Sequence, residues 1–150
     1  MKNLYDPARA SEVKERLACL EPESPRLWGR MSAPQAVAHC SISMGWALGQ
    51  ICPPRLFIGR ILGTIVKPLV LRDDQPMRRN SPTSPDLIVA DQRDLVRERD
   101  GLCARIDRFV AGGPGACTTN PHPFFGRLTP DEWAILMYKH LDHHLRQFEA

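Results

Sequence analysis

Apolar residues recur at helical spacing in four stretches of the chain, and no alternating apolar–polar run of strand type is sustained. The first stretch runs from Ala8 to Leu20 and ends in the proline-containing EPESP. The second opens at Ser32 with SAPQAVAHCSISMGWALGQ. There Ser32 is an N-cap, Gln35 three residues on completes a capping box, and Pro34 falls in the first turn, where its missing N–H does no harm. This helix should stop before Pro53-Pro54. The third, from Asp86 to Val110, places Leu87, Leu95, Leu102, Ile106 and Phe109 at roughly helical spacing. The fourth has the clearest start: Thr129 as N-cap, Pro130 at the first helical position and Glu132 closing a T-x-x-E box, with the helix running nearly to Ala150.

Between these lie weaker signals. Leu56 to Leu71 reads as an apolar helix, whole or in two pieces broken near Gly63. RDDQPMRRNSPTSPD reads as a long surface loop, and GGPGACTTNPHP breaks the chain again. The β-branched residues at 58, 61, 65, 66, 88 and 89 could alternatively pair as one small hairpin. The pattern as a whole predicts an all-α, single-domain helical bundle over residues 1–150, with four main helical stretches and one or two short extra helices.

Composition narrows the function classes. The chain has 150 residues, 43% hydrophobic and 25% charged, which is globular. A formal charge of +3 with no basic run, and only 7% aromatic residues, disfavour nucleic acid as a partner. Five scattered cysteines without CxxC spacing suggest reduced thiols, and the N-terminal residues lack the apolar core of a signal peptide. A cytoplasmic protein is expected. Arg60, Lys67 and Pro68 interrupt the most apolar stretch, which is shorter than the ~20 residues a bilayer span needs, so no membrane role is expected.

Candidate chemistry lies with the five histidines. At ~100° per residue, with His140 at zero on the last helix, His144 falls at about +40°, Trp133 at about +20°, Met137 at about +60° and Leu136 at about −40°. Both imidazoles therefore sit inside the apolar stripe, with His143 at its margin. On the second helix His39 shares the core-facing side with Trp46, Ile42 and Ala36. Three inward imidazoles need partners for their nitrogens, and a divalent metal supplies one. Two histidines at i and i+4, joined by a third from a facing helix, can chelate a single ion and leave positions open for water or substrate. The alternative is three separate, hydrogen-bonded core histidines. His122 and His143 are expected at the surface or behind the ligands. Cys40, about 100° round the helix from His39, is expected as a packed thiol rather than a ligand.

The segments HPFFGRLTPDEWAILMYKHLDHHLRQF and LWGRMSAPQAVAHC, and more loosely DDQPMRRNSPTSPDLIV, resemble the DinB/YfiT-like superfamily, in particular a branch known only as a domain of unknown function. The H-x-x-H-H-x-x-Q segment from His140 to Gln147 is the most specific part of the likeness. The resemblance implies a four-helix bundle with a long crossover that binds zinc, nickel or another divalent ion. Carried over, its three histidines are His39, His140 and His144. Some members are thiol-dependent transferases using bacillithiol or mycothiol, one is a mycothiol-dependent maleylpyruvate isomerase, and many have no known activity.

Two functions follow as expectations. One is a metal-dependent transferase or hydrolase acting on a small molecule or thiol conjugate, with no general base assigned and His143 and Gln147 as candidates for orienting a ligand. Arg78 and Arg79 in the loop could then hold an anionic substrate. The other is a non-catalytic bundle that the ion stabilises. In that second case the Leu56–Leu71 stretch could form a homodimer contact, or equally complete the monomer's own core.

Overall fold

The computed structural model describes residues 1–150, which form five α-helices and no strand. They are α1 (Pro7–Ala18), α2 (Ala33–Ala47), α3 (Phe57–Leu71), α4 (Leu95–Gly112) and α5 (Pro130–Gln147). Each of α1 and α2 packs on both α4 and α5, so four helices enclose one core, while α3 touches only α5. Thirteen of the fifteen residues of α2 are buried, which makes it the central rod. Its small residues, among them Ala36, Ser41, Gly45 and Ala47, let α4 and α5 approach closely. No helix is long and apolar enough to cross a membrane.

The helix starts follow the caps read in the sequence. Ser32 and Gln35 form a reciprocal capping box at α2, Thr129 and Glu132 form another at α5, and Pro34 and Pro130 occupy the first turns. Asp6 caps α1 by accepting from Ala8 N–H. Arg16 then ties α1 to the end of α5, through a 2.8 Å pair with Asp142 and a hydrogen bond to the Ala150 carbonyl.

One local expectation is corrected, and two alternatives the sequence left open are resolved. The expected helix from Asp86 begins only at Leu95, because Asp94 is the N-cap and accepts from Arg97 N–H. Residues 85–87 form one 3₁₀ turn, and Leu87 and Val89 are buried there as isolated anchors of the crossover. The Leu56–Leu71 stretch is one helix, unbroken at Gly63. Gly59 and Gly63 face the backbone of Phe124, and a β-carbon on Gly63 would collide with its carbonyl oxygen. Pro68 sits on the solvent side of α3, where water can take the carbonyl it frees. No hairpin forms: the β-branched residues at 58, 61, 65 and 66 are helical, and the one antiparallel bridge joins His122 to Gly126.

Candidate metal centre

The core stripes of α2 and α5 meet at His39, His140 and His144, and one nitrogen from each ring lies within 4.8 Å of the other two. The i, i+4 spacing on α5 sets two rings edge-on with centroids 4.9 Å apart, and His39 enters from α2 at 4.6 Å from His144. His39 is buried, whereas His140 and His144 keep partial exposure.

Hydrogen bonds behind the rings fix which nitrogens face inward. His39 Nδ1 lies 2.8 Å from the Leu87 carbonyl. A carbonyl only accepts, so Nδ1 carries the proton and Nε2 presents its lone pair. Gln147 Nε2 donates to the Trp28 carbonyl at 2.7 Å, which turns Gln147 Oε1 toward His144 Nδ1 at 2.9 Å. His144 Nδ1 is therefore the donor, and its Nε2 is free for the cluster. Gly29, at φ 77°, makes room for this relay, since a β-carbon there would meet Gln147 Nε2 at 2.6 Å. His140 has no such anchor. Its Nε2 lies 2.9 Å from His39 Nε2, so in the bare protein it donates to that lone pair.

Burial holds all three rings neutral. It lowers the pKa of His39, takes that of His140 well below the ordinary value with help from the neighbouring His144 and His39, and brings His144 to about 3. Three neutral imidazoles within reach of one point are the donor set of an open zinc- or nickel-type site. An ion at ~2.0–2.1 Å from each nitrogen sets tetrahedral donors about 3.4 Å apart. One pair lies at 2.9 Å and none exceeds 4.8 Å, which brackets that spacing. The residues fit such an ion.

His143 is not part of the nitrogen cluster. Its half-buried ring lies against Trp28 at 5.6 Å and edge-on to His144 at 5.0 Å, while Arg79 stacks on Trp28 at 4.1 Å. Arg78 makes no ion pair. Gln147, the other candidate for orienting a ligand, bonds His144 Nδ1 instead of standing apart from the rings. His122 departs from the surface expectation: it is partly buried between Trp46, Trp133 and Phe125, and its Nδ1 accepts from Phe124 and Phe125 N–H. Cys40 is a packed thiol whose pKa burial pushes up. The void beside His144 and Cys40 measures about 10 Å³, is lined by apolar side chains and touches neither His39 nor His140, and the crossover from Arg72 to Val89 reaches the cluster through the Leu87 carbonyl while its Arg79 covers Trp28. Sequence reasoning missed Leu87, Trp28 and Gly29, whose parts are a carbonyl, a second carbonyl and a missing β-carbon.

A family model described as "Protein of unknown function (DUF1569)" matches residues 7–150, and the chain belongs to that family. No curated protein and no solved structure matches it.

Proposed function

We propose that the protein is a DinB/YfiT-like divalent-metal protein, binding one zinc or nickel ion through Nε2 of His39, His140 and His144. The observation that carries this reading is the pair of anchored Nδ1–H groups, Leu87–His39 and Gln147–His144, which aim two lone pairs at one point beside His140. When bound, such an ion acts as a Lewis acid and lowers the pKa of a coordinated water or thiol toward neutrality.

The chain's own residues supply binding and orientation. His39 and His144 are locked in the ligating tautomer. His140 would hold the ion as its Nδ1–H tautomer, its Nε2 proton exchanged through solvent for one on Nδ1, so that the ring stays neutral. The surrounding apolar side chains exclude bulk water, and Trp28, His143 and Arg79 form the rim on the crossover side. The activity proposed is transfer or hydrolysis of a small molecule or thiol conjugate, supported by the superfamily resemblance and by a donor set that leaves coordination positions free.

A second reading, a metal-stabilised bundle without catalysis, is favoured by the place of His39 inside the core, 3% exposed. Two measurements test these readings. Elemental analysis of natively purified protein is expected to give one ion per chain, lost in His140→Ala; no ion in the wild type refutes the metal site. Melting with and without chelator then separates chemistry from scaffolding: a folded apoprotein favours the first, and collapse on chelation the second.

A further inference from the structure

Arg79 stands on the rim of the histidine cluster and engages the protein only through its face. Its guanidinium lies over the Trp28 ring at 4.1 Å, Trp28 lies against His143 at 5.6 Å, and His143 meets His144 edge-on at 5.0 Å. Three successive ring contacts thus lead from an exposed cation to a donor of the cluster, and His144 and His140 are themselves partly exposed. A guanidinium stacked by its face keeps its N–H groups free at the edges, as a fork for two oxygens. No carboxylate fills that fork. Asp73 pairs with Arg72 and Lys139, Asp74 accepts from the Lys2 main-chain N–H, and the two oxygens of Asp142 are taken by Arg16 and Arg146. Arg78, the residue before, is exposed and stacks on no ring.

We propose that the small molecule bound at the metal centre carries a carboxylate, and that Arg79, braced on Trp28, grips it while the other end of the molecule reaches the ion. The indole brace holds the guanidinium in place before the ligand arrives, so less side-chain freedom is lost on binding. A single braced fork matches the one charge and two oxygens of a carboxylate, whereas a phosphate dianion would keep a charge uncompensated. Two aromatic rings separate Arg79 from His144, so several carbons must lie between the carboxylate and the group that meets the metal. This inference rests on the metal-centre reading and narrows its substrate to an elongated acid.

The test uses the full-length chain loaded with cobalt(II), titrated with 6-mercaptohexanoate and with 6-mercaptohexanol, and read by the thiolate-to-cobalt charge-transfer band. The two thiols share a spacer and differ in the carboxylate. Wild-type protein is expected to bind the acid about tenfold more tightly than the alcohol. Arg79→Gln should abolish that preference while binding of the alcohol, metal content and circular dichroism stay unchanged, since the side chain is exposed. Arg79→Lys, which keeps the charge and loses the fork, should keep only part of it. Arg78→Gln removes the same charge one residue away and should retain the full preference. Equal affinities in the wild type, or a preference that survives Arg79→Gln, overturn the proposal. An equal loss in Arg78→Gln also overturns it, by tracing the preference to diffuse charge. A cobalt-loaded protein with no band from either thiol, or a protein that takes up no cobalt, refutes the open metal centre itself and this inference with it.

Discussion

At the scale of single residues, the three imidazoles differ in how firmly each is held. His39 and His144 are pinned from behind, and His140 is free to change tautomer. Removing the Gln147 amide leaves His144 Nδ1–H without its acceptor and releases the ring. Gln147→Ala is therefore expected to weaken metal binding about 10- to 100-fold with the fold intact, measured by competition with a chromophoric chelator. Gly29→Ala should act in the same direction, because its β-carbon displaces the Gln147 amide and its backbone resists φ 77°. A normal affinity in both variants would show that the relay does not orient the ligand. The three ring positions were legible in the sequence, since i, i+4 spacing and the apolar stripe place His140 and His144 on one face whatever the tertiary path. The partners behind them were not. The Leu87 and Trp28 carbonyls are main-chain atoms that any residue type carries, and only the course of the crossover and of the loop before α2 brings them there.

At the scale of elements, capping chemistry was readable because it is local: the boxes at Ser32–Gln35 and Thr129–Glu132 need only four consecutive residues. The start of α4 was not. Leu87 matched the apolar period of the following helix by coincidence, being buried as a lone anchor while Asp94 captured the true start. Helix α3 shows the opposite case, a helix whose two glycines look like breaks and serve as docking points against Phe124. Gly63→Ala cannot be accommodated by a flexible side chain, because the obstructing atom is a backbone oxygen. The expected result is undocking of α3: a loss of about 2–3 kcal/mol in denaturant unfolding, and faster amide exchange confined to 57–71 and the 122–126 turn, with unchanged metal content. Metal loss in that variant would mean that α3 supports the site, contrary to its separate placement.

At the scale of the whole molecule, the core accepts histidines only in their neutral form, so stability and pH are linked. Burial, reinforced by Arg55, brings His122 to about 3, whereas in the unfolded chain it titrates near about 6.5. Above that unfolded value both states are neutral and the linkage is silent. As pH falls below it, the unfolded chain binds the proton and the folded one does not, so folding is progressively disfavoured until the folded pKa is passed. His122 alone should then cost about 2 kcal/mol between pH 7 and pH 5. The three rings of the cluster titrate in the same sense in the metal-free protein, and His122→Asn separates its share from theirs. The asparagine side-chain oxygen can still accept from the turn's N–H groups, but the amide carries no titrating proton. Urea denaturation of chelated protein should show a shallower pH dependence in the variant, by about 1.4 kcal/mol per pH unit between pH 6 and pH 4. Parallel curves would place His122 in a solvated, ordinary state. Metal should reverse part of the loss wherever it outcompetes protons for the three Nε2 atoms, so a pH-dependent gap between metal-loaded and chelated melting curves is the whole-molecule signature of the proposed centre.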